Sequence, residues 1–163
     1  MLTTPQITER PAQAYVAITA DVTMEQLPGL ADRLGEVFGW LAERAIPPAG
    51  APFFRYHIID MERQLKVDAG VPVPTTVEGD DRVTAGVLPA GRYATAIHAG
   101  HYDGLVGAVD NLLQWAEAQG LAWDKSDAED GEHWGCRLET YLTNPAEQPD
   151  PAKWETQLAF LLK

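Results

Sequence analysis

Residues 135 to 145 read Gly-Cys-Arg-Leu-Glu-Thr-Tyr-Leu-Thr-Asn-Pro, and the way this stretch alternates decides how the rest of the chain is read. With a period of two, Arg137, Glu139 and Tyr141 point one way while Trp134, Cys136, Leu138 and Leu142 point the other. The pattern is a strand with one apolar face and one polar, aromatic face. The apolar face is expected to carry helices. If the other face is covered as well, Glu139 is a buried carboxylate, which must be neutralised, paired or matched by a cationic partner.

Working outward, the strand spans residues 133 to 142, ends at Asn144-Pro145, and is followed by a Pro-rich loop to Pro151 and a last strand over 154 to 162. Upstream, Leu105, Val109, Leu112, Leu113 and Ala116 share one face of a helix over 103 to 119, with Gly120 as its stop. Between them, residues 124 to 132 are acidic and read as a loop. Strands over 82 to 88 and 92 to 99 flank the turn Pro89-Ala90-Gly91.

The first half repeats the order. Residues 12 to 22 are rich in strand formers; Thr23 and Gln26 have the form of a capping box, so a helix is expected from Thr23, with Leu27, Leu30, Leu34, Phe38 and Leu41 as its stripe and Pro47-Pro48 as its end. A hairpin over 53 to 60 and 64 to 73 follows, turning around Met61 to Arg63. Each half is therefore strand, helix, strand, strand. Tyr15 aligns with Tyr93, Leu34 with Leu112 and Arg55 with Arg137, which sets His57 in register with Glu139. The expected fold is α+β: one domain over 1–163, made of duplicated β-α-β-β units (12–73 and 82–163, joined by 74–81). Antiparallel strands form two sheets or one continuous curved sheet, both main helices lie on one face, and a central pocket opens on the uncovered concave face at the pseudo-two-fold.

Composition narrows the function. The 163 residues can bury a core without staples, and the single cysteine, Cys136, forbids an internal disulfide, which suits a reducing cytoplasm. The N-terminus lacks a signal-peptide pattern and no apolar run is long enough to span a bilayer, so no membrane association is expected. A formal net charge of -12 opposes nucleic-acid binding and is compatible with neutral or cationic ligands.

Glu139 is the leading candidate site residue. Tyr141 on the same face would add cation–π attraction of about 0.5–2 kcal/mol to a cationic ligand. Arg137, on that face too, is the competing partner that would make Glu139 structural. His57 offers an imidazole for acid–base work or an ordinary strand hydrogen bond. Tyr56 and Trp123 are candidate pocket walls, while Trp40 and Trp115, at helical spacing, read as core or helix surface. His98, His101 and His133 lack zinc-site spacing, and no nucleophile elbow, phosphate loop or dinucleotide fingerprint is present, so no metal or cofactor is expected.

The order of elements, together with Leu88-Pro89-Ala90-Gly91-Arg92-Tyr93, His98-Ala99-Gly100-His101-Tyr102-Asp103, Glu139-Thr140-Tyr141-Leu142 and Asn144-Pro145, resembles the GyrI-like small-molecule-binding domain. Phe53-Phe54-Arg55-Tyr56 and Gly70-Val71-Pro72-Val73 resemble pieces of its first half. That module is the effector-binding part of many bacterial MerR- and AraC-type multidrug regulators. The resemblance implies a pocket with aromatic walls and an acidic residue on the strand holding Glu139, binding lipophilic cations. Some stand-alone relatives look like hydrolases of cyclopropane-containing genotoxins, a chemistry in which Glu139 and Tyr141 would act on water and substrate. Two departures stand out: no helix-turn-helix precedes Tyr15, so no direct DNA binding is expected, and His101 stands where the family often has proline.

Overall fold

The computed structural model describes residues 2–60 and 62–163; Met61, in the expected hairpin turn, lies outside them. Ten strands and two α-helices follow in the order β1 (Gln6–Arg10), β2 (Gln13–Val22), α1 (Ala31–Glu43), β3 (Phe53–Ile59), β4 (Leu65–Pro72), β5 (Thr84–Leu88), β6 (Gly91–Ala99), α2 (Leu105–Ala118), β7 (Lys125–Ala128), β8 (Gly131–Trp134), β9 (Arg137–Tyr141) and β10 (Glu155–Leu161). The α+β class holds. All strands join one antiparallel sheet in the order β1-β6-β10-β9-β3-β4-β2-β5, with β8 beside β3 and β7 beside β8. No helix among the described residues is long and apolar enough to cross a membrane.

Several elements differ from expectation for physical reasons. The Thr23 and Gln26 side chains do exchange hydrogen bonds with each other's backbone N–H, at 3.3 and 3.0 Å. That box closes a turn, however, and the chain passes through a 3-10 segment containing Pro28 before α1 begins at Ala31. Residues 124 to 132 are not a loop: β7 and β8 form a hairpin turning at Gly131, whose φ of 124° suits glycine. Lys125 bridges to Glu132 across it at 2.7 Å, offsetting charge that argued against a strand. The polar edge strand β1 pairs with β6, while β5 pairs with β2, so each half receives an outer strand from the other's side of the sequence.

The ladders also locate the pseudo-two-fold. If Tyr15 corresponds to Tyr93, their partners Pro72 and Leu161 correspond. Two residues back, Gly70 and Ala159 pair with Phe53 and Leu138. Phe54 therefore corresponds to Glu139, and Tyr56 to Tyr141. Phe54 and Glu139 are themselves paired in the central β3-β9 ladder, so the axis runs through that pair. The expected match of His57 with Glu139 and of Arg55 with Arg137 is overturned; it is three residues out of step. The extra β7-β8 hairpin ahead of β9 upsets simple counting between the halves.

The faces are also reversed from the expectation. Phe54, Tyr56 and Phe160 pack with Leu30 and with Leu105, Ala108 and Leu112 of α2, so the face carrying Glu139 is the one beneath the helices. The Cys136 and Leu138 face joins Tyr15, Phe53, Tyr93 and Leu161 in a second cluster without helices. Side chains from β2 and β6, far apart in strand order, meet there because the sheet curls upon itself. A third cluster seats Val37, Trp40 and Leu41 of α1 on Val16 and Val71.

Candidate functional site

Strand β9 projects Arg137, Glu139 and Tyr141 to the helix-bearing face, and β3 projects Phe54 and Tyr56 beside them. Both phenols donate to one oxygen of Glu139: Tyr56 Oη to Oε2 at 3.1 Å and Tyr141 Oη to the same atom at 3.2 Å. These two tyrosines are the pair related by the pseudo-two-fold, so the carboxylate sits at the axis and is gripped symmetrically. Oε1 accepts no hydrogen bond among the described residues, and it is not among the fully sealed polar atoms that lack a partner.

Burial drives the Glu139 carboxyl above its ordinary value, against the lowering effects of the Tyr56 hydrogen bond, the Arg137 charge and the Tyr141 hydrogen bond. Burial also raises both tyrosine hydroxyls well above theirs, with Glu139's charge adding to the effect. Both remain neutral donors.

The Arg137 side chain forms no ion pair or hydrogen bond among the described residues. Its guanidinium instead lies over aromatic faces, 4.6 Å from the ring centre of Phe160, 4.8 Å from Trp134 and 5.9 Å from Tyr56. The competing reading of Glu139 as half of a structural salt bridge with Arg137 thus has no contact to support it. Trp123 completes this cage from behind, 5.8 Å from both Trp134 and Phe160.

On the other flank an aromatic wall runs outward from Glu139. Tyr141 meets Phe54 edge-on at 5.2 Å and Tyr102 at 5.7 Å; Tyr102 lies 4.9 Å from Trp154, which stacks on His101 at 5.5 Å. His101 accepts a hydrogen bond from the Asp103 N–H through Nδ1, so it caps the turn leading into α2, where proline would serve by its fixed backbone. Phe54, Tyr102 and Trp154 escaped the sequence reading. The signal for Phe54 was its place opposite Glu139, which only the ladder register reveals.

His57 is not part of this site. Alternation from Tyr56 puts it on the opposite face, where Nε2 lies 2.7 Å from Asp68 Oδ2 and the ring lines a cavity of about 420 Å³ with Tyr15, Lys66 and His133. Of the candidate residues, the structure brings together Glu139, Tyr141 and Tyr56, sets Trp123 behind the Arg137 cage, and separates His57 from them.

Residues 3–163 match the GyrI-like small molecule binding domain. The chain belongs to the GyrI-like family. Solved structures share this GyrI-like fold at low identity. The C-terminal domain of EcmrR superposes with a TM-score of 0.72 at 20% identity, covering 98% of this chain and 97% of that one. In an EcmrR–DNA complex the same likeness spans 57% of the EcmrR chain. SAV2435 bound to tetraphenylphosphonium aligns with a TM-score of 0.67 at 10% identity over 99% and 94% of the two chains. A hydrolase from Listeria innocua aligns at 0.60 and 15% identity over 98% and 91%. No curated protein matches the sequence. The GyrI-like assignment makes this a small-molecule-binding domain, and the EcmrR and SAV2435 structures share its fold.

Proposed function

We propose that this GyrI-like domain binds a lipophilic, positively charged small molecule on the helix-bearing face, with Glu139 as the counter-charge and Tyr141, Tyr56 and the Tyr102–Trp154 wall as its aromatic surroundings. The carrying observation is that both protein donors to Glu139 converge on Oε2, leaving Oε1 unbonded. A desolvated carboxylate without a bonded cation gains from one that arrives with a ligand. A greasy cation suits it best, since aromatic faces contribute both apolar burial and cation–π attraction. That SAV2435 has been seen with tetraphenylphosphonium makes this cation a suitable probe.

Calorimetric titration with tetraphenylphosphonium tests the reading. Glu139→Gln preserves shape and removes charge, and it is expected to weaken binding at least tenfold, about 1.4 kcal/mol. Unchanged affinity in that variant would remove Glu139 from the site.

A second reading is hydrolysis of a strained electrophile such as a cyclopropane. The raised proton affinity of Glu139 favours it, because a general base works best when its pKa approaches the working pH. Glu139 would take a proton from water as the water oxygen bonds to one ring carbon and the strained C–C bond breaks. The electron pair of that bond leaves on the other carbon to be protonated by solvent, with Tyr141 steering that departing group. Incubation with a cyclopropane-bearing alkylator and mass spectrometry decides between them: hydrolysis that depends on Glu139 supports the enzyme, and its absence leaves binding alone.

A further inference from the structure

We propose that the ligand of this face is dipolar, carrying a hydrogen-bond acceptor of carboxylate type for Arg137 as well as the cationic group that faces Glu139. This rests on the reading of Glu139 as the ligand's counter-charge and adds a second anchor to it. Arg137 and Glu139 stand two residues apart on the same strand face, about 6.5 Å along β9. The Arg137 side chain is half-buried, yet none of its nitrogens donates to a protein acceptor among the described residues. Those nitrogens are not sealed orphans either; the buried unpartnered polar atoms are Arg55 Nε and Thr156 Oγ1. The guanidinium is therefore desolvated over part of its surface and open over the rest.

Phe160 and Trp134 hold the guanidinium of Arg137 at 4.6 and 4.8 Å from their ring centres but offer no lone pairs in the plane of its N–H groups. Acidic groups nearby, Glu139, Glu132 and Asp110, act on it only through space. A planar fork of donors with its faces packed and its edge unfilled matches a carboxylate, which it can bind through two parallel hydrogen bonds. A simple cation satisfies Glu139 while meeting repulsion from Arg137. A ligand with both charges satisfies the two groups at once and leaves neither desolvated charge unpaired. Arg137 is thus a specificity residue, selecting dipolar ligands over simple cations of the same bulk.

The test compares butyltriphenylphosphonium with its carboxypropyl counterpart, close in size and differing by the carboxylate, by calorimetry near neutral pH. The wild-type chain is expected to prefer the carboxylate form by about tenfold. Arg137→Met should erase that preference while tightening the simple cation, and Arg137→Lys, which keeps the charge but not the fork, should retain only part of it. Equal wild-type affinities, or a preference that survives Arg137→Met, overturn the proposal. The wild-type comparison needs no variant, so a folding defect in Arg137→Met cannot shelter it. Phenylbutyrate serves as the anion alone; binding as tight as the dipolar ligand also overturns it. Glu139→Gln separates the two claims: if it leaves butyltriphenylphosphonium affinity intact, the Glu139 reading fails irrespective of any carboxylate preference.

Discussion

Two carboxylates lie back to back in this sheet, and they are held in opposite ways. On the face without helices, Asp68 is 4% exposed and accepts from Tyr15 Oη at 2.7 Å and Thr19 Oγ1 at 2.5 Å, with His57 Nε2 at 2.7 Å. Both of its oxygens are engaged. On the helix-bearing face Glu139 has two phenols on one oxygen and nothing on the other. Burial pushes both carboxyls upward; at Asp68 the hydrogen bonds from His57, Thr19 and Tyr15 and the charge of His57 reverse the shift, and at Glu139 the neighbours fail to. Donors on both oxygens at Asp68, against one oxygen at Glu139, separate a filled carboxylate from one with capacity to spare.

The largest expected effect breaks the filled side. Asp68→Asn leaves buried donors without a full acceptor and should cost about 3 kcal/mol, read from urea unfolding. Glu139→Gln should cost little stability, or increase it, since it removes a desolvated charge. A loss of equal size in both variants would erase the distinction between them.

The pH dependence follows with opposite signs. Asp68 has a folded pKa below its unfolded value near 3.9, so its contribution is present above that value and is lost as pH falls through the folded pKa. Glu139 has a folded pKa above its unfolded value near 4.3, so its contribution is complete below that value and is lost as pH rises through the folded pKa. Urea midpoints between about pH 2 and pH 8 should show Asp68→Asn removing part of the acid-side decline, and Glu139→Gln removing part of the decline above about pH 4.

A smaller effect sharpens the symmetry. Tyr56→Phe and Tyr141→Phe each delete one donor to Oε2, so each should raise the Glu139 pKa further, and by similar amounts, in a carboxyl carbon NMR titration. A shift in only one variant would show that the two phenols are not equivalent.

The sequence made the duplicated β-α-β-β order, the helix stripes and the anomaly of Glu139 legible, because strand alternation and helical spacing act locally. The site's assembly was hidden, since it depends on register. Counting along the chain puts His57 in register with Glu139; the ladders put Phe54 there instead, and alternation along β3 sends the imidazole to Asp68 on the other face. Faces were misjudged for a related reason. An apolar strand face usually implies helices above it, but Cys136 and Leu138 are covered by the sheet's own curl, which lets the polar, aromatic face lie beneath the helices. Residues 124 to 132 read as a solvated loop because their charges, only partly offset by the Lys125–Glu132 pair across the hairpin, carry no hydrophobic signal.

The central claim is that Glu139 is a desolvated carboxylate awaiting a cation, and its own titration tests this most directly. Carboxyl carbon NMR of Glu139, alone and with saturating tetraphenylphosphonium, should show a pKa raised above the ordinary glutamate range in the free protein that falls when the cation is bound. An ordinary value in the free protein, or one that the bound cation leaves unmoved, would contradict the account.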